Sequence, residues 1–378
     1  MRAACELSDI LHLYEADFVQ KQNIPYYKLK VLQAIKCCRT AYFGGHVDQC
    51  DTCEHTQVSY NSCRNRHCPK CQGLKKEQWI RNCSKDLLPI KYFHVVFTIP
   101  HQINDFALKY QKQIYDILFS TSWSVIESFS ADKKHLGAKT AMLSILHTWG
   151  QNLTYHPHLH CIVPAGGIDD SGDWKDTKSK GKFLYPVKAM SLVFRARFME
   201  KLRAFAKSVD VCLSKELTDK LFSHQWVVYA KRPFKSVENV MEYLARYSHR
   251  VAISNHRIIS IDGGRVKFWA KNYRKNGKKE VVDLSANEFL RRFCMHILPL
   301  RFRKIRHYGF LNNRQKKKYL EKIRQSLQAQ VPIGKSSDWK TILKEKYGHE
   351  YDMCPCCKKG KMVQIIELKR GQRYYQLE

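Results

Sequence analysis

Apolar positions recur at helical spacing through residues 7–39. Ile10, Leu11, Leu13, Tyr14 and Phe18 mark the first half, and Tyr27, Leu29, Val31, Leu32 and Ile35 the second. The spacing predicts a helical entry module. Across 44–73 the periodicity gives way to turn residues and cysteines, "GGHVDQCDTCEHTQVSYNSCRNRHCPKCQG", a composition that suits a metal knuckle. From "KYFHVVFTIPHQI" onwards the period becomes two: Phe93, Val95, Phe97 and Ile99 alternate with their neighbours and predict a strand ending at Pro100. Residues 103–130 read as helical, and "KTAMLSILHTWG" and "HLHCIVPAGG" as two further strands. Another strand, "HQWVVYAKRP", precedes a helix in "SVENVMEYLARYSHR", and "HRIISIDGGRVKFWAKNY" reads as a hairpin turning at Asp262, Gly263 and Gly264. Strands interleaved with helices, several of them antiparallel, predict the α+β class. Past Pro299 the chain turns strongly basic, and from 331 it reads as a loop-like tail. The expected divisions are 1–85, 90–275, 276–330 and 331–378.

Charge narrows the function. Lys and Arg number 66 against 34 Asp and Glu, a formal net charge of +32 spread along 378 residues. Such an excess points to a polyanion, of which nucleic acid is the commonest, over a membrane surface. No apolar run approaches the roughly 18 residues that a membrane span needs, and "MRAACELSDILHLYEADF" is too acidic and amphipathic for a signal peptide. The chain is therefore expected to be soluble and intracellular. Its 15 cysteines cluster in CxxC pairs, which favours thiolates held by metal in a reducing compartment over disulfides.

Cys50 with Cys53 and Cys68 with Cys71 are two CxxC pairs, each able to present two sulfurs from one tight turn, and two such turns can surround a zinc ion. The competing readings are a redox pair and plain buried thiols. Cys63 and His67 lie between the pairs, so the choice among these six stays open. A closed four-ligand site would be structural. Arg64, Arg66 and Lys70 beside it suit phosphate contact. Cys354 and Cys357 form another CxxC in the tail, either a half site completed elsewhere or reduced thiols.

In "TYHPHLHCIV", His158 and His160 share one face of a strand and could reach one ion, with His147 and His156 nearby; a structural or pH-tuning role is the competing reading. Tyr243 and Tyr247 stand four apart, on one face of a helix. Tyrosines at that spacing are more often packing groups, but Arg246, His249, Arg250 and Arg257 surround these two. Together the halves fit one chemistry. A divalent cation on the histidines polarises a phosphodiester while a tyrosine attacks phosphorus, leaving a 5′-phosphotyrosine and a free 3′-OH. Rejoining then needs no ATP, in keeping with a chain that carries no GxxxxGKS-type loop.

"SCRNRHCPKCQ", "LHTWGQNLTYHPHLHCIVPAGG", "YLARYSHRVAISNHRI" and "LPLRFRKIRHYGF" resemble, in order and spacing from about residue 5 to 315, the two-tyrosine HUH transposases of the insertion-sequence-91 family. The resemblance implies a helical and zinc-binding, DNA-binding domain at 1–85 and an HUH catalytic domain at 90–275 with a central antiparallel sheet flanked by helices. A basic DNA-contact region at 276–330, where Arg303 and Arg306 lie, and the CxxC tail at 331–378 would follow. It implies His158 and His160 as ligands of Mg²⁺ or Mn²⁺, Tyr243 and Tyr247 as nucleophiles, and Cys50, Cys53, Cys68 and Cys71 as ligands of structural Zn²⁺. The third polar ligand stays open among Glu238, Glu242, Gln151 and His156. Implied partners are single-stranded DNA at element ends and target DNA, in a rolling-circle-like process in the bacterial cytoplasm, with the protein nucleoid-associated when bound. A replication initiator or relaxase, or a non-catalytic zinc-ribbon regulator, are the alternatives.

Overall fold

The computed structural model describes residues 4–272, 275–331, 336–348 and 350–374. The N-terminal part contains α1 (Leu7–Lys21), α2 (Tyr26–Lys36), β1 (Gly45–Cys50), β2 (Thr56–Tyr60) and α3 (Gln72–Ser84). The centre contains β3 (Tyr92–Thr98), α4 (Asn104–Lys109), α5 (Gln111–Ala131), β4 (Ala141–Trp149), β5 (Tyr155–Pro164), β6 (Gly166–Ile168), β7 (Trp174–Asp176), α6 (Val187–Ser208), α7 (Lys215–Ser223), β8 (Val228–Ala230) and α8 (Val237–Tyr247). There follow β9 (Ile258–Asp262), β10 (Arg265–Asn272), β11 (Lys278–Ser285), α9 (Ala286–Met295), β12 (Ile305–Gly309), α10 (Lys316–Ser326), α11 (Trp339–Tyr347) and β13 (Met362–Leu368).

The expected α+β class holds. A five-stranded antiparallel sheet in the order β12-β4-β5-β3-β8 forms the centre. Strand alternation gives this sheet two different faces. Phe93, Val95, Phe97, Met142, Leu146, Leu159, Cys161 and Val163 point to one side and pack with α5 and α6, whose Ile114, Leu118, Phe194 and Phe198 are fully buried. On the other side, Tyr92, Leu143, Ile145 and Ile162 pack beneath α8 through Val240 and Leu244, with Trp79 of α3 alongside.

The helical stretch expected over 7–39 is present as two helices, since Pro25 takes φ −56 and ψ 139 and caps the second one. Two sequence expectations change. The hairpin at 256–273 gains a third strand, β11, and its apolar face (Ile258, Val266, Phe268) packs with α9, α1 and α2 in a second core. The boundary expected at 275 therefore falls between two strands of one sheet. The tail is not a plain loop either: β13 pairs antiparallel with β1, which β2 flanks on its other edge. The close approach of these strands needs glycine. Gly44 has φ +69, and a Cβ there would lie 2.4 Å from the Leu368 carbonyl oxygen. Among the described residues, no helix is long and apolar enough to cross a membrane.

Candidate functional site

Four histidines converge on the α8 side of the central sheet. His158 and His160 stand at i and i+2 on β5, as expected, and the neighbouring strands supply two more. His147 on β4 lies directly opposite His158, and His94 on β3 is diagonal to His160. Ring nitrogens of His147, His158 and His160 all lie within 4.8 Å of one another. Hydrogen bonds orient the rings. His158 Nδ1–H donates to the His156 carbonyl at 2.6 Å, and His147 Nε2–H donates to the Tyr247 carbonyl at 2.8 Å. That leaves His158 Nε2 and His147 Nδ1 as lone-pair nitrogens. His158 Nε2 and His160 Nε2 face each other at 3.1 Å, the spacing that two neighbouring ligands at about 2.1 Å from one divalent ion would have.

Burial, then the mutual repulsion of neighbouring positive groups including Arg250, pushes His158 down to about 4 and drives His160 further down. Burial likewise holds His147 well below its ordinary value and His94 near about 3. All four imidazoles are thus neutral at physiological pH, the form that binds metal.

The tyrosine helix lies across this cluster. Ser236 caps α8 by accepting the Asn239 N–H, and Val240 and Leu244 fix its rotation by dropping into the sheet. Tyr243 and Tyr247 then stand in the next column, with ring centroids 4.4 Å apart. The Tyr243 hydroxyl bonds to His94 Nε2 and lies 2.8 Å from His160 Nδ1. The Tyr247 ring sits 4.2 Å from that of His160 and stacks on His147. Burial, then the neighbouring Tyr247 and Cys161, raises Tyr243 far above the ordinary phenol range, so it rests protonated. Of the residues considered for a third ligand, Glu238, Glu242 and His156 are outside the nitrogen cluster, and His147 is the side chain that joins it.

The cysteines group differently from the expected set of Cys50, Cys53, Cys68 and Cys71. Cys68 and Cys71 join Cys38 and Cys63, whereas Cys50 and Cys53 join Cys354 and Cys357. The reason is topological: β1 and β2 carry the first CxxC turn away from the second, and α2 delivers Cys38 at its end. In the first group Cys71 Sγ is 3.5 Å from Cys38 Sγ and 3.6 Å from Cys63 Sγ. These separations are far too long for a disulfide and close to the roughly 3.8 Å edge of a tetrahedron of thiolates about 2.3 Å from zinc. His67 is outside the group; its Nε2 accepts the Leu298 N–H.

Residues 10–99 match the family model described as "Transposase zinc-binding domain", and residues 141–319 match one described as "Putative transposase". The chain is 40% identical over 382 aligned residues to "Putative transposase y4qJ" of Sinorhizobium fredii, covering 96% of each chain. It belongs to the insertion-sequence-91 family of transposases. It is also 26% identical to "Transposase for insertion sequence element IS801" of Pseudomonas savastanoi pv. phaseolicola, over 81% of this chain and 75% of that one. No solved structure matches the chain at a significant level. The protein is thus a DNA transposase, and its zinc-binding domain together with its four-thiol groups supports a structural Zn²⁺.

The cationic residues expected to meet DNA divide into two sets. Arg64, Arg246 and Arg303 are exposed. Arg66 is instead committed to the fold, donating to the carbonyls of Phe302 and Pro299. Arg306 pairs with Asp116 and lies over the rings of Phe119 and Phe302. His249 bonds Ser248 and packs against Trp79, while Arg250 sits close enough to the histidines to depress them. Sequence reasoning missed Cys38, whose signal was a Cys-Cys pair ending a helix, and His94, whose signal was one imidazole in an apolar strand.

Proposed function

We propose that this transposase cuts and rejoins single-stranded DNA at the ends of its element through Tyr243 and Tyr247. The observation that carries the reading is the Tyr243 hydroxyl, held 2.8 Å from the Nδ1 of His160, whose Nε2 faces that of His158. His147, His158 and His160 would hold a divalent ion, which when bound polarises a phosphodiester oxygen. Of Mg²⁺ and Mn²⁺, three imidazoles favour Mn²⁺.

In the step itself, Tyr243 Oη bonds to phosphorus as the P–O3′ bond breaks. The phenol proton leaves by way of His94 Nε2, and the departing 3′ oxygen takes one up from water, so no proton and no nucleotide is consumed. The 5′-phosphotyrosine keeps a phosphoester, and attack by a free 3′-OH reverses it. Tyr247, one turn on, offers a second nucleophile while the first remains linked, as exchange of two strands requires. Arg246 and Arg250 would hold the flanking phosphates. Cys38, Cys63, Cys68 and Cys71 would hold the zinc of the N-terminal domain. The reading places the protein in the cytoplasm, on element and target DNA.

The test is a denaturing gel of the protein with labelled single-stranded element ends, with Mn²⁺, with Mg²⁺ and with EDTA. A metal-dependent, SDS-resistant protein-DNA band that disappears in Tyr243→Phe/Tyr247→Phe and in His158→Ala/His160→Ala is expected. Adduct formation by the double tyrosine variant would refute the nucleophiles.

A further inference from the structure

The second thiol group lies largely outside the functions described so far. Cys50 and Cys53 are in the turn between β1 and β2, and Cys354 and Cys357 precede β13, some 300 positions later. Cys50 Sγ lies 3.7 Å from Cys357 Sγ, and Cys53 Sγ lies 3.7 Å from Cys354 Sγ. Both separations exceed a disulfide and match thiolates around one tetrahedral ion.

The backbone around the group is arranged for charged sulfur. Thr52 N–H and Cys53 N–H point to Cys50 Sγ at 3.4 and 3.5 Å, and Gly360 N–H points to Cys357 Sγ at 3.3 Å. Each CxxC turn thus donates amides back to its own first or second sulfur, which stabilises thiolate over thiol. The two turns also hold each other: Asp51 N–H donates to the Lys361 carbonyl, and Lys361 N–H to Asp51 Oδ1. Gly360 is needed for this fit, since a Cβ there would come within 2.5 Å of Cys50 Sγ, Asp51 Oδ1 and Thr52 Oγ1.

We infer that Cys50, Cys53, Cys354 and Cys357 bind a second zinc ion, which clips the C-terminal segment onto the N-terminal domain. The clip continues a joint already made by the β1–β13 pairing and by Arg81 of α3, which pairs with Glu345 of α11 and donates to the Ser336 carbonyl. Neither half is a site alone, because each CxxC supplies two of four ligands.

Metal analysis and native mass spectrometry of the full chain test this. Two zinc ions per chain are expected in the wild type, one in Cys354→Ser/Cys357→Ser, and two in Cys356→Ser, whose exposed thiol is outside the group. The double variant should also lose trypsin protection after residue 336 before its core is attacked. A wild type with one zinc, or a double variant that keeps two, overturns the site; a tail that stays protected in the one-zinc variant overturns the clip. Should the double variant not fold, titrating wild-type thiols with a mercurial while following zinc release gives the same count, two ions per chain supporting the proposal and one refuting it.

Discussion

His147 offers a test that separates metal ligation from packing. Its side chain is 2% exposed, its Nε2–H satisfies the carbonyl of Tyr247 at the C-terminal end of α8, and its ring stacks on Trp149 at 4.7 Å. His147→Ala removes all of this at once. The orphaned carbonyl costs about 1–3 kcal/mol and the lost stacking about 0.5–1.5 kcal/mol, so for a chain of this length a fall in Tm of roughly 2–6 °C is expected. His147→Gln is sharper. A glutamine amide can reach the position of Nε2 and keep the bond to Tyr247, but it places no donor where Nδ1 stands. Stability should then change by less than about 1 kcal/mol, while loss of one of three nitrogen ligands should raise the Mn²⁺ concentration for half-maximal nicking by about 100-fold or more, with activity recovering at high metal. The assay is an Mn²⁺ titration of single-turnover cleavage of a labelled end oligonucleotide, beside thermal unfolding. A Gln variant with the wild-type Mn²⁺ response would refute the ligand assignment, and a large shift in Glu242→Ala would move the third ligand to α8.

Other expectations can be checked more briefly. Tyr243→Phe should lower first-strand adduct formation by at least about 10³-fold, whereas Tyr247→Phe should leave the first cleavage within about tenfold and block strand exchange; equal loss in both would contradict the asymmetry of their hydroxyl environments. Arg66→Ala should cost about 1–3 kcal/mol of stability through its two carbonyl bonds. Arg246→Ala should leave stability within about 0.5 kcal/mol and reduce the salt slope of DNA binding by about 1. His296 is buried, burial lowers it to about 4, and its Nε2–H donates to the Leu153 carbonyl. The unfolded chain protonates this group near about 6.5 and the folded chain only near 4. Its contribution is therefore complete above about 6.5 and lost as pH falls towards 4; a His296→Gln variant with an unchanged acid slope in chemical denaturation would count against it.

Much of the site could be read from the chain because its parts are local. His158 and His160 share a face through the two-residue period of a strand, and Tyr243 and Tyr247 through the four-residue return of a helix. What could not be read depends on pairing between distant segments. His147 reaches the cluster only because β4 sets it opposite His158, and His94 only because β3 lies on the other side of β5. The cysteine spacing told which two thiols share a turn, but not which turns share an ion; β1, β2 and β13 decide that. Arg66 and Arg306 looked like DNA contacts because basic residues crowd there, and only tertiary partners reveal them as structural. β13 itself was illegible because most of its side chains are exposed, so its order comes from backbone pairing with β1.

These distant pairings tie the metal clusters to the chemistry. α3 begins at Gln72, immediately after Cys71, which occupies its N-cap. Four thiolates on one ion would therefore fix where this helix starts. Farther along α3, Trp79 joins the core beneath α8 and meets the His249 ring at 5.7 Å, and Arg81 and Glu77 hold α11 from the other side. Helix α8 is thus braced by a helix that starts at one thiol group and whose outer face carries the segment that bears half of the other. A tyrosine hydroxyl must lie within a few tenths of an ångström of its place to attack in line. If Tyr243 is the nucleophile as proposed, zinc would act on catalysis by position: releasing it should displace Tyr243 from His94 and His160 and lower adduct formation even where DNA binding persists.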